Sequence, residues 1–262
     1  MVRRIIPIII LFVMSAGYAG VSFAQEDERG TAWYLRGSFG AASQDLSDLE
    51  SALLAEKDEL KNLGIDFSTY SNSFGNVWDY RVEVGAIITR GLSLGFLFDY
   101  QPRGSDLSTG AISPQNQIRM SEDISIKYYG FLGSLSYWFP GTHGFFLGAT
   151  GGYGYGRFKQ TITLTDPNNP QFNAESKADY DGGGPVYGFN GGYQFTADNG
   201  ILFYLQVGFE WRDLGTFTGS TQSTAPQLLP EQSGTYTVGG EEINFDFSGP
   251  FVAIGVGFTG PY

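Results

Sequence analysis

Residues 249–262 read GPFVAIGVGFTGPY, and apolar side chains alternate there with small ones. The hydrophobic positions share one parity and end on an aromatic residue: Val252, Ile254, Val256, Phe258 and Tyr262. A period of two places such side chains on one face of a β-strand. Gly260 interrupts the pattern and Pro261 is an unusual penultimate residue. The segment therefore predicts a strand with one apolar face.

Residues 1–24 have the organisation of a secretory signal peptide. A basic start and an apolar run precede Ser22-Phe23-Ala24, which supplies small residues at the −3 and −1 positions of a signal-peptidase site. We expect Sec-type export and cleavage after this tripeptide, which leaves one domain over residues 25–262. An N-terminal membrane anchor is the alternative, but the apolar run is short for a span and contains Pro7.

The composition narrows the class of protein. The 262 residues include no cysteine, which excludes disulfides, thiolate chemistry and a lipidated cysteine. The net charge is −12, and loss of the signal peptide removes two arginines and no acid, so the mature charge is −14. This balance argues against nucleic acid as a partner and against a polybasic membrane-surface protein. Many glycines and aromatic residues, against a single histidine, indicate a β protein.

Eight segments alternate in the manner of strands. Their approximate bounds are residues 31–40, 79–89, 92–101, 123–139, 144–161, 185–197, 200–213 and 241–259. One face of each is apolar, and the other is small, polar or charged. In the last segment the apolar parity changes at Gly249-Pro250, which predicts a bulge because proline cannot donate a ladder hydrogen bond. A soluble β-sandwich would also alternate, so alternation alone does not decide the architecture.

The connections between these segments are alternately short and long. Tight turns fall at residues 89–91, 140–143 and 197–200, whereas long polar connections span 41–78, 102–122, 164–184 and 215–240. This alternation is expected of a barrel with tight periplasmic turns and long outside loops. Leucines recur at helical spacing in the first long connection: Leu46, Leu49, Leu53, Leu60 and Leu63. We predict an amphipathic helix over about residues 45–63, outside the membrane, with Ser47 and Glu50 as a capping box. We expect it to cap the barrel mouth, with a lid for a hydrophobic ligand or a coiled-coil contact as the alternatives.

The chain resembles the small eight-stranded outer-membrane β-barrels of the OmpA, OmpX and OmpW type in its strand alternation, its loop asymmetry and its aromatic end. The resemblance covers essentially the whole mature chain. The resemblance implies an all-β fold: an eight-stranded antiparallel up-and-down transmembrane β-barrel with a short helix in the first extracellular loop. It implies location in the bacterial outer membrane, with lipid and lipopolysaccharide as partners. It also implies that Val256, Phe258 and Tyr262 form a signal for the barrel-assembly machinery.

In lipid the apolar face must point outward and the polar face inward. Aromatic residues at strand ends, such as Trp33, Tyr137 and Trp138, would then form interfacial girdles. The predicted lumen carries charges of both signs: Arg36, Arg81, Glu83, Asp99, Glu210 and Arg212. These groups are interpreted either as a structural plug of ion pairs or as a polar relay that conducts protons or solutes. The inner wall is nearly bare at Gly148, Gly152, Gly154 and Gly156, which would make room for bulky neighbours such as Arg157 or for a ligand; strand curvature explains these glycines equally well.

Nothing in the sequence indicates an enzyme or a cofactor. The single histidine, His143, falls in a predicted turn, and the spacing of Asp166, Asp179 and Asp181 matches no calcium loop, so we expect a solvated acidic loop. Two functions remain. The first is a structural or surface-interaction role through the long extracellular loops, with an extracellular ligand as a candidate partner. The alternative, by resemblance to OmpW-type barrels, is a porin-like narrow channel for small hydrophobic molecules.

Overall fold

The computed structural model describes residues 32–62, 76–89, 91–107, 119–139, 144–197 and 200–259. The predicted signal peptide, His143 and Tyr262 lie outside these residues. The one long helix of the described part has 16 residues. No helix among the described residues is long and apolar enough to cross a membrane.

The strands are numbered in chain order. Seven come first: β1 (Ala32–Ser43), β2 (Asn76–Thr89), β3 (Leu92–Leu107), β4 (Arg119–Trp138), β5 (Phe145–Thr165), β6 (Ala174–Thr196) and β7 (Ile201–Trp211). Six short strands follow: β8 (Asp213–Thr216), β9 (Thr218–Ser223), β10 (Gln232–Thr235), β11 (Thr237–Val238), β12 (Glu241–Glu242) and β13 (Asn244–Asp246). The last long strand is β14 (Gly249–Thr259), helix α1 (Ser47–Asn62) lies between β1 and β2, and a 3-10 turn (Pro170–Phe172) lies between β5 and β6.

The eight long strands form a closed antiparallel barrel. Strands β1 to β7 pair in sequence, and β14 closes the ring by pairing with β7 on one side and β1 on the other. The closing register runs from Tyr34 opposite Thr259 to Ala42 opposite Phe251. The structure therefore confirms the predicted eight-stranded up-and-down barrel. The alternative of a soluble sandwich is wrong for this chain, because a sandwich has two separate sheets.

The outer wall of the barrel is apolar, and the alternation runs in the predicted sense. Val82 is 52% exposed and Ile254 is 60% exposed on the outside, whereas Arg36 is 2% exposed on the inside. We call this apolar outer band the belt. Stacked aromatic rings lie near its ends, with 4.7 Å between the ring centroids of Phe39 and Trp78. An apolar band with aromatic girdles around a closed even-numbered barrel is the construction of an outer-membrane-type protein. The chain is thus an outer-membrane β-barrel, as predicted.

One aromatic residue departs from the predicted girdle. Trp138 has the parity of the inward-facing Ser134 and Ser136, and its ring lies 6.1 Å from that of the buried Phe146. It is half-buried at the end of β4. Its neighbours Tyr137 and Phe139 face outward and contact each other edge to face at 5.2 Å. At this end of β4, Tyr137 and Phe139 therefore contribute to the girdle and Trp138 does not.

Above the belt the wall continues into water, and the polarity of its faces reverses. Strand β5 runs to Thr165 and β6 begins at Ala174, so most of the predicted loop 164–184 is strand. There the inward Phe158 is fully buried, and the charged side chains point outward. Strand β9 pairs with the upper half of β6, and β10 pairs with β9. Because this region is in water, its apolar face turns inward as in a soluble protein.

The predicted last strand, residues 241–259, is three separate elements, of which β12 pairs with β11. Strand β13 leaves the wall and pairs with β8, and the barrel strand β14 starts only at Gly249. A side chain at Gly249 would place its Cβ 2.0 Å from the Ser43 carbonyl oxygen. The end of β1 is therefore too close to this position for any residue other than glycine. The change in apolar parity at residues 249–250 thus marks the return of the chain to the wall, not a bulge in a continuous strand.

The helix prediction is confirmed to within two residues at its start and one at its end. Leu46, just before α1, and Leu49 in its first turn are both buried under the helix. The Asp45 carboxylate accepts a hydrogen bond from the Ser47 N–H at 3.3 Å. The side chains of Leu53 and Leu60 and the whole of Leu63 lie outside the described part. The helix packs across the wide end of the barrel, where it contacts β11 and β13.

A charge on the apolar belt should destabilise the barrel. Ile254 faces outward in the middle of β14, and we expect Ile254→Lys to lower the free energy of unfolding by about 2–4 kcal/mol because a cation then faces hydrocarbon. Ile254→Leu is the matched control and should unfold as the unmodified protein does. The measurement is urea unfolding of the barrel in phosphatidylcholine vesicles. Equal midpoints for the Lys and Leu variants would show that this face is not in lipid.

Candidate functional site

The candidate site is the lumen, where all six predicted charged residues point inward. They come from alternate positions of β1, β2, β3 and β7 and from the residue that follows β7, and none is more than 5% exposed: Arg36, Arg81, Glu83, Asp99, Glu210 and Arg212. Three further polar residues at this level were not predicted, namely Gln44, Asp79 and Gln101. Asp79 has the parity of Arg81 and Glu83, so strand alternation alone could have placed it in the lumen. Gln44 lies beyond β1, where no periodic pattern indicated its position.

Arg81 is the centre of the larger charged group. Its Nε donates to Asp79 at 2.7 Å, and its Nη1 and Nη2 donate to the two carboxylate oxygens of Glu210 at 3.0 and 3.1 Å. The Nη2 atom also lies 3.5 Å from Asp99. The guanidinium carbon lies 3.7 Å from the ring centroid of Phe251. A planar donor with two carboxylates and an aromatic ring around it has a single preferred orientation.

Arg212 joins this group from the opposite side of the lumen. Its Nε donates to Glu210 at 2.8 Å, its Nη2 also pairs with Glu210, and its Nη1 donates to Gln101 at 3.1 Å. Gln101 in turn donates to Asp79 at 3.2 Å and accepts from Gln44 at 2.8 Å. The hydrogen bonds therefore connect β2, β3 and β7 across the interior. They hold the lumen side chains in one arrangement.

A second charged group lies nearer the short-turn end of the barrel. Arg36 donates from Nε to Glu83 at 2.7 Å, and its Nη2 lies 2.7 Å from the same carboxylate oxygen. The other oxygen of Glu83 accepts from the Tyr34 hydroxyl at 2.7 Å and from the Ser134 hydroxyl at 2.5 Å. Glu83 is thus satisfied by donors from β1 and β4. Five of the six predicted residues therefore lie in two hydrogen-bonded groups, and Asp99 joins the larger group only through its ion-pair contacts with Arg81 and Arg212.

The charges in the described lumen do not balance. Three guanidiniums, those of Arg36, Arg81 and Arg212, face four buried carboxylates. The carboxylates belong to Asp79, Glu83, Asp99 and Glu210. Asp99 is the least engaged of the four: its nearest cationic atoms lie 3.3 Å away on Arg212 and 3.5 Å away on Arg81. Neither of its oxygens accepts a hydrogen bond from any described residue. Asp99 is therefore the carboxylate whose charge is least compensated.

Very little free space remains inside the wall at this level. A cavity of about 10 Å³ lies between the two charged groups, lined by polar residues that include Arg36, Ser136, Thr150, Asn190 and Gln206. A volume of this size holds about one water molecule. It is much smaller than the several hundred cubic ångströms of a typical small-molecule site.

Toward the outer end the lumen is filled by an apolar core that was not predicted. Its rings stack closely, with 4.0 Å between the centroids of Phe217 and Phe245. The core joins inward residues of the wall to residues of the cap, which we define as α1 with residues 213–217 and 236–247. The cap residues in it, together with Leu46 just before the helix, are Leu49, Leu214, Phe217, Tyr236, Ile243, Phe245 and Phe247.

The glycines of β5 and β6 make room for this core. A Cβ on Gly156 would lie 2.3 Å from the Phe217 ring, and one on Gly182 would lie 2.4 Å from the same ring. A Cβ on Gly154 would lie 2.8 Å from Tyr128. Of the predicted roles for the bare wall at Gly154 and Gly156, accommodation of bulky neighbours is the one observed, although Arg157 is not among them because it faces outward. The neighbours include residues of the cap.

Comparison with known proteins supports no closer assignment than the fold. No protein-family model and no curated protein matches the chain. Solved structures that it resembles include the outer membrane protein OprG from Pseudomonas aeruginosa, at 13% identity over 89% of this chain and 98% of that one, with a TM-score of 0.46. A major outer membrane protein from Thermus thermophilus matches at 10% identity over 88% and 100% of the chains, with a TM-score of 0.45. Ail of Yersinia pestis, solved with the heparin analogue sucrose octasulfate, matches at 10% identity over 88% and 99%, with a TM-score of 0.42.

Proposed function

We propose that this protein is a closed outer-membrane barrel that holds a rigid cap at the cell surface for interaction with an extracellular partner. The observation that carries the proposal is the filling of the lumen at two levels. Ion pairs link the wall at the level of Arg81, and aromatic side chains fill the mouth above it. The role of the six lumen charges in this proposal is structural.

The cap is joined to the charged layer through the backbone around Arg212. The Arg212 N–H donates to the Ser248 hydroxyl at 2.8 Å, and the Phe247 N–H donates to the Arg212 carbonyl at 3.0 Å. The Asp45 N–H donates to the Ser248 carbonyl at 3.1 Å, which ties the start of the helix to the same point. The residue that ion-pairs inside the lumen thus also positions both halves of the cap. A partner bound to the cap would meet a preformed surface.

The exposed surface of the cap and its surroundings is acidic and polar. Its exposed acids include Asp48, Asp58, Glu231, Glu241 and Glu242. Strands β9 and β10 add exposed hydroxyl and amide groups beside the cap. This surface suits a partner that is cationic or rich in hydrogen-bond donors, and it repels acidic polymers.

The alternative role as a channel for small hydrophobic molecules receives no support from the described lumen. A route through the barrel would have to pass the Phe217 and Phe245 stack and then the ion pairs of Arg81 and Glu210. Passage would require the cap to leave the mouth and buried charges to separate, and the second step alone costs several kcal/mol. The polar relay is disfavoured for the same reason.

Electrical recordings test the closed barrel directly. The unmodified protein in a planar phospholipid bilayer should give no conductance steps above those of the bare membrane, with or without apolar solutes. A variant with Phe217→Ala, Phe245→Ala, Arg81→Ala and Glu210→Ala should conduct, which shows that the assay detects an opened lumen. Stable channels from the unmodified protein would instead favour the porin-like alternative.

A double-mutant cycle tests the structural role of the ion pairs. Arg81→Ala removes the ion-pair partner of Asp79 and one of the two guanidiniums that pair with Glu210, so it should lower the free energy of unfolding by about 3–5 kcal/mol. Arg81→Ala together with Glu210→Ala should cost less than the sum of the two single changes, because the two residues contact each other. The measurement is urea unfolding in vesicles.

Asp99→Asn is the matched control for that cycle. It removes the fourth carboxylate from a layer with three guanidiniums, and Asp99 accepts no hydrogen bond from the described residues. The variant should therefore be at least as stable as the unmodified protein. Additive losses in the cycle, or a loss at Asp99→Asn equal to that at Arg81→Ala, would contradict the proposed network.

We also propose that Val256, Phe258 and Tyr262 act as an assembly signal. Val256 and Phe258 face outward on β14, next to the closing pairs with β1. Phe258→Asp, or removal of Tyr262, should cause periplasmic accumulation and proteolysis, because the end of the closing strand becomes less apolar. Phe258→Leu is the control. Normal heat-modifiable migration on gels for the Asp variant in cells would contradict this role.

A further inference from the structure

A group of cations lies on the outer face of the wall, directly above the apolar belt. The belt ends on the outward rings of Tyr100, Tyr129 and Tyr155, with centroid distances of 5.1 and 6.4 Å between neighbours. Two residues further along their strands, Lys127 of β4 and Arg157 of β5 are direct cross-strand partners. This step is about 7 Å along a strand and about 5 Å along the membrane normal at the usual tilt. The cations therefore lie at the depth of lipid headgroups.

The next outward-facing residue on β5 adds a third cation. Lys159 has the same parity as Arg157, and its side chain is 52% exposed. We call Lys127, Arg157 and Lys159 the cationic patch. The chain as a whole has 15 basic residues against 27 acidic ones. The patch is therefore a local group of three neighbouring cations in an acidic chain.

The neighbouring acids order the patch without neutralising it. Asp179 accepts from Arg157 Nε at 2.8 Å and lies 2.5 Å from Arg157 Nη2 and 3.4 Å from Lys159 Nζ. The hydrogen bonds from Arg157 hold the pKa of Asp179 below its usual range, so this acid stays ionised and keeps both cations in place. Asp181 is the cross-strand partner of Arg157 on the β6 side. Among the described residues, Lys127 makes no ion pair.

Lys127 and Arg157 are like charges in directly opposite positions, and Asp179 compensates only the Arg157 side of this pair. Like charges directly opposite each other in an antiparallel pair destabilise the sheet. Asp179 lies on the β6 side of Arg157 and makes no described ion pair with the Lys127 ammonium group. An anion in front of β4 and β5 would contact Lys127, the free side of Arg157 and Lys159 together. A tetrahedral phosphate offers the several acceptor oxygens that this arrangement requires.

We propose that the cationic patch binds a phosphate group of an outer-leaflet glycolipid of the lipid A type. Its position selects a lipid over a soluble ligand: the tyrosines beneath it face the upper edge of the acyl chains, and the cations face the headgroup that those chains carry. The proposal rests on the outer-membrane location of the barrel. It does not depend on whether the lumen is closed or on what the cap binds.

The test measures binding of lipid A to the full-length mature protein in detergent by native mass spectrometry. Lipid A with two phosphates and the same lipid after dephosphorylation are the two probes. We expect Lys127→Ala with Lys159→Ala to weaken binding of the phosphorylated probe roughly 25-fold, about fivefold for each lysine. The dephosphorylated probe should bind the unmodified protein as weakly as the phosphorylated probe binds this double variant.

Lys177→Ala is the matched control, because Lys177 is exposed further out on β6 and already pairs with Glu175 at 2.9 Å. It should leave binding unchanged, and gel mobility of the heated and unheated proteins checks that all variants fold. Retention of affinity by the double variant, or an equal loss in the control, would overturn the proposal. Complete displacement of the lipid by millimolar inorganic phosphate would also overturn it, since the patch would then be a site for free anions.

Discussion

The structure depends on the closed ladder of backbone hydrogen bonds between β1 and β14. In hydrocarbon an unpaired N–H or C=O group costs several kcal/mol, so a sheet can cross a membrane only when its first and last strands pair. The register from Tyr34–Thr259 to Ala42–Phe251 provides that closure. It also decides the direction of every side chain, because alternate residues of a closed sheet must face either lipid or lumen. The apolar belt and the buried charges are therefore two consequences of one closure.

The barrel wall faces lipid within the membrane and water above it, and this difference explains what could and could not be predicted from the sequence. Within the membrane, apolar residues face out, and the alternation of β2, β3 and β7 gave the faces of Arg81, Asp99 and Glu210 correctly. Above the membrane the outward face is wet, so apolar residues such as Phe158 turn inward. Period-two alternation has no marker for the depth at which this reversal occurs. The upper parts of β5 and β6 were therefore interpreted as loop.

The cap could be predicted only in part, for a different reason: the leucine spacing indicated a helix over the barrel mouth, but not the segments that pack with it. Its core joins α1 to segments that are far from it in the sequence, and each of those is short and irregular: Phe217 between β8 and β9, and Phe245 in β13. A change in parity at Gly249-Pro250 was visible, but a bulge and a strand that leaves the wall produce the same pattern. The inward glycines at positions 154 and 156 were a usable signal, since bare wall inside a packed barrel requires a bulky neighbour. The sequence did not identify that neighbour.

The two layers of the lumen are complementary in what they contribute. Buried ion pairs add little net stability, because the loss of hydration offsets most of their attraction, but they enforce one geometry once their partners are present. The aromatic core contributes the reverse: a large apolar area removed from water and little directional preference. Arg212 connects the layers, since its guanidinium lies among the carboxylates while its backbone bonds Ser248 and Phe247 of the returning chain. The charged layer thereby sets where the cap is attached, and the apolar layer holds it there. A barrel built only to span the membrane would need the first layer at most, so the presence of the second favours a role at the cell surface.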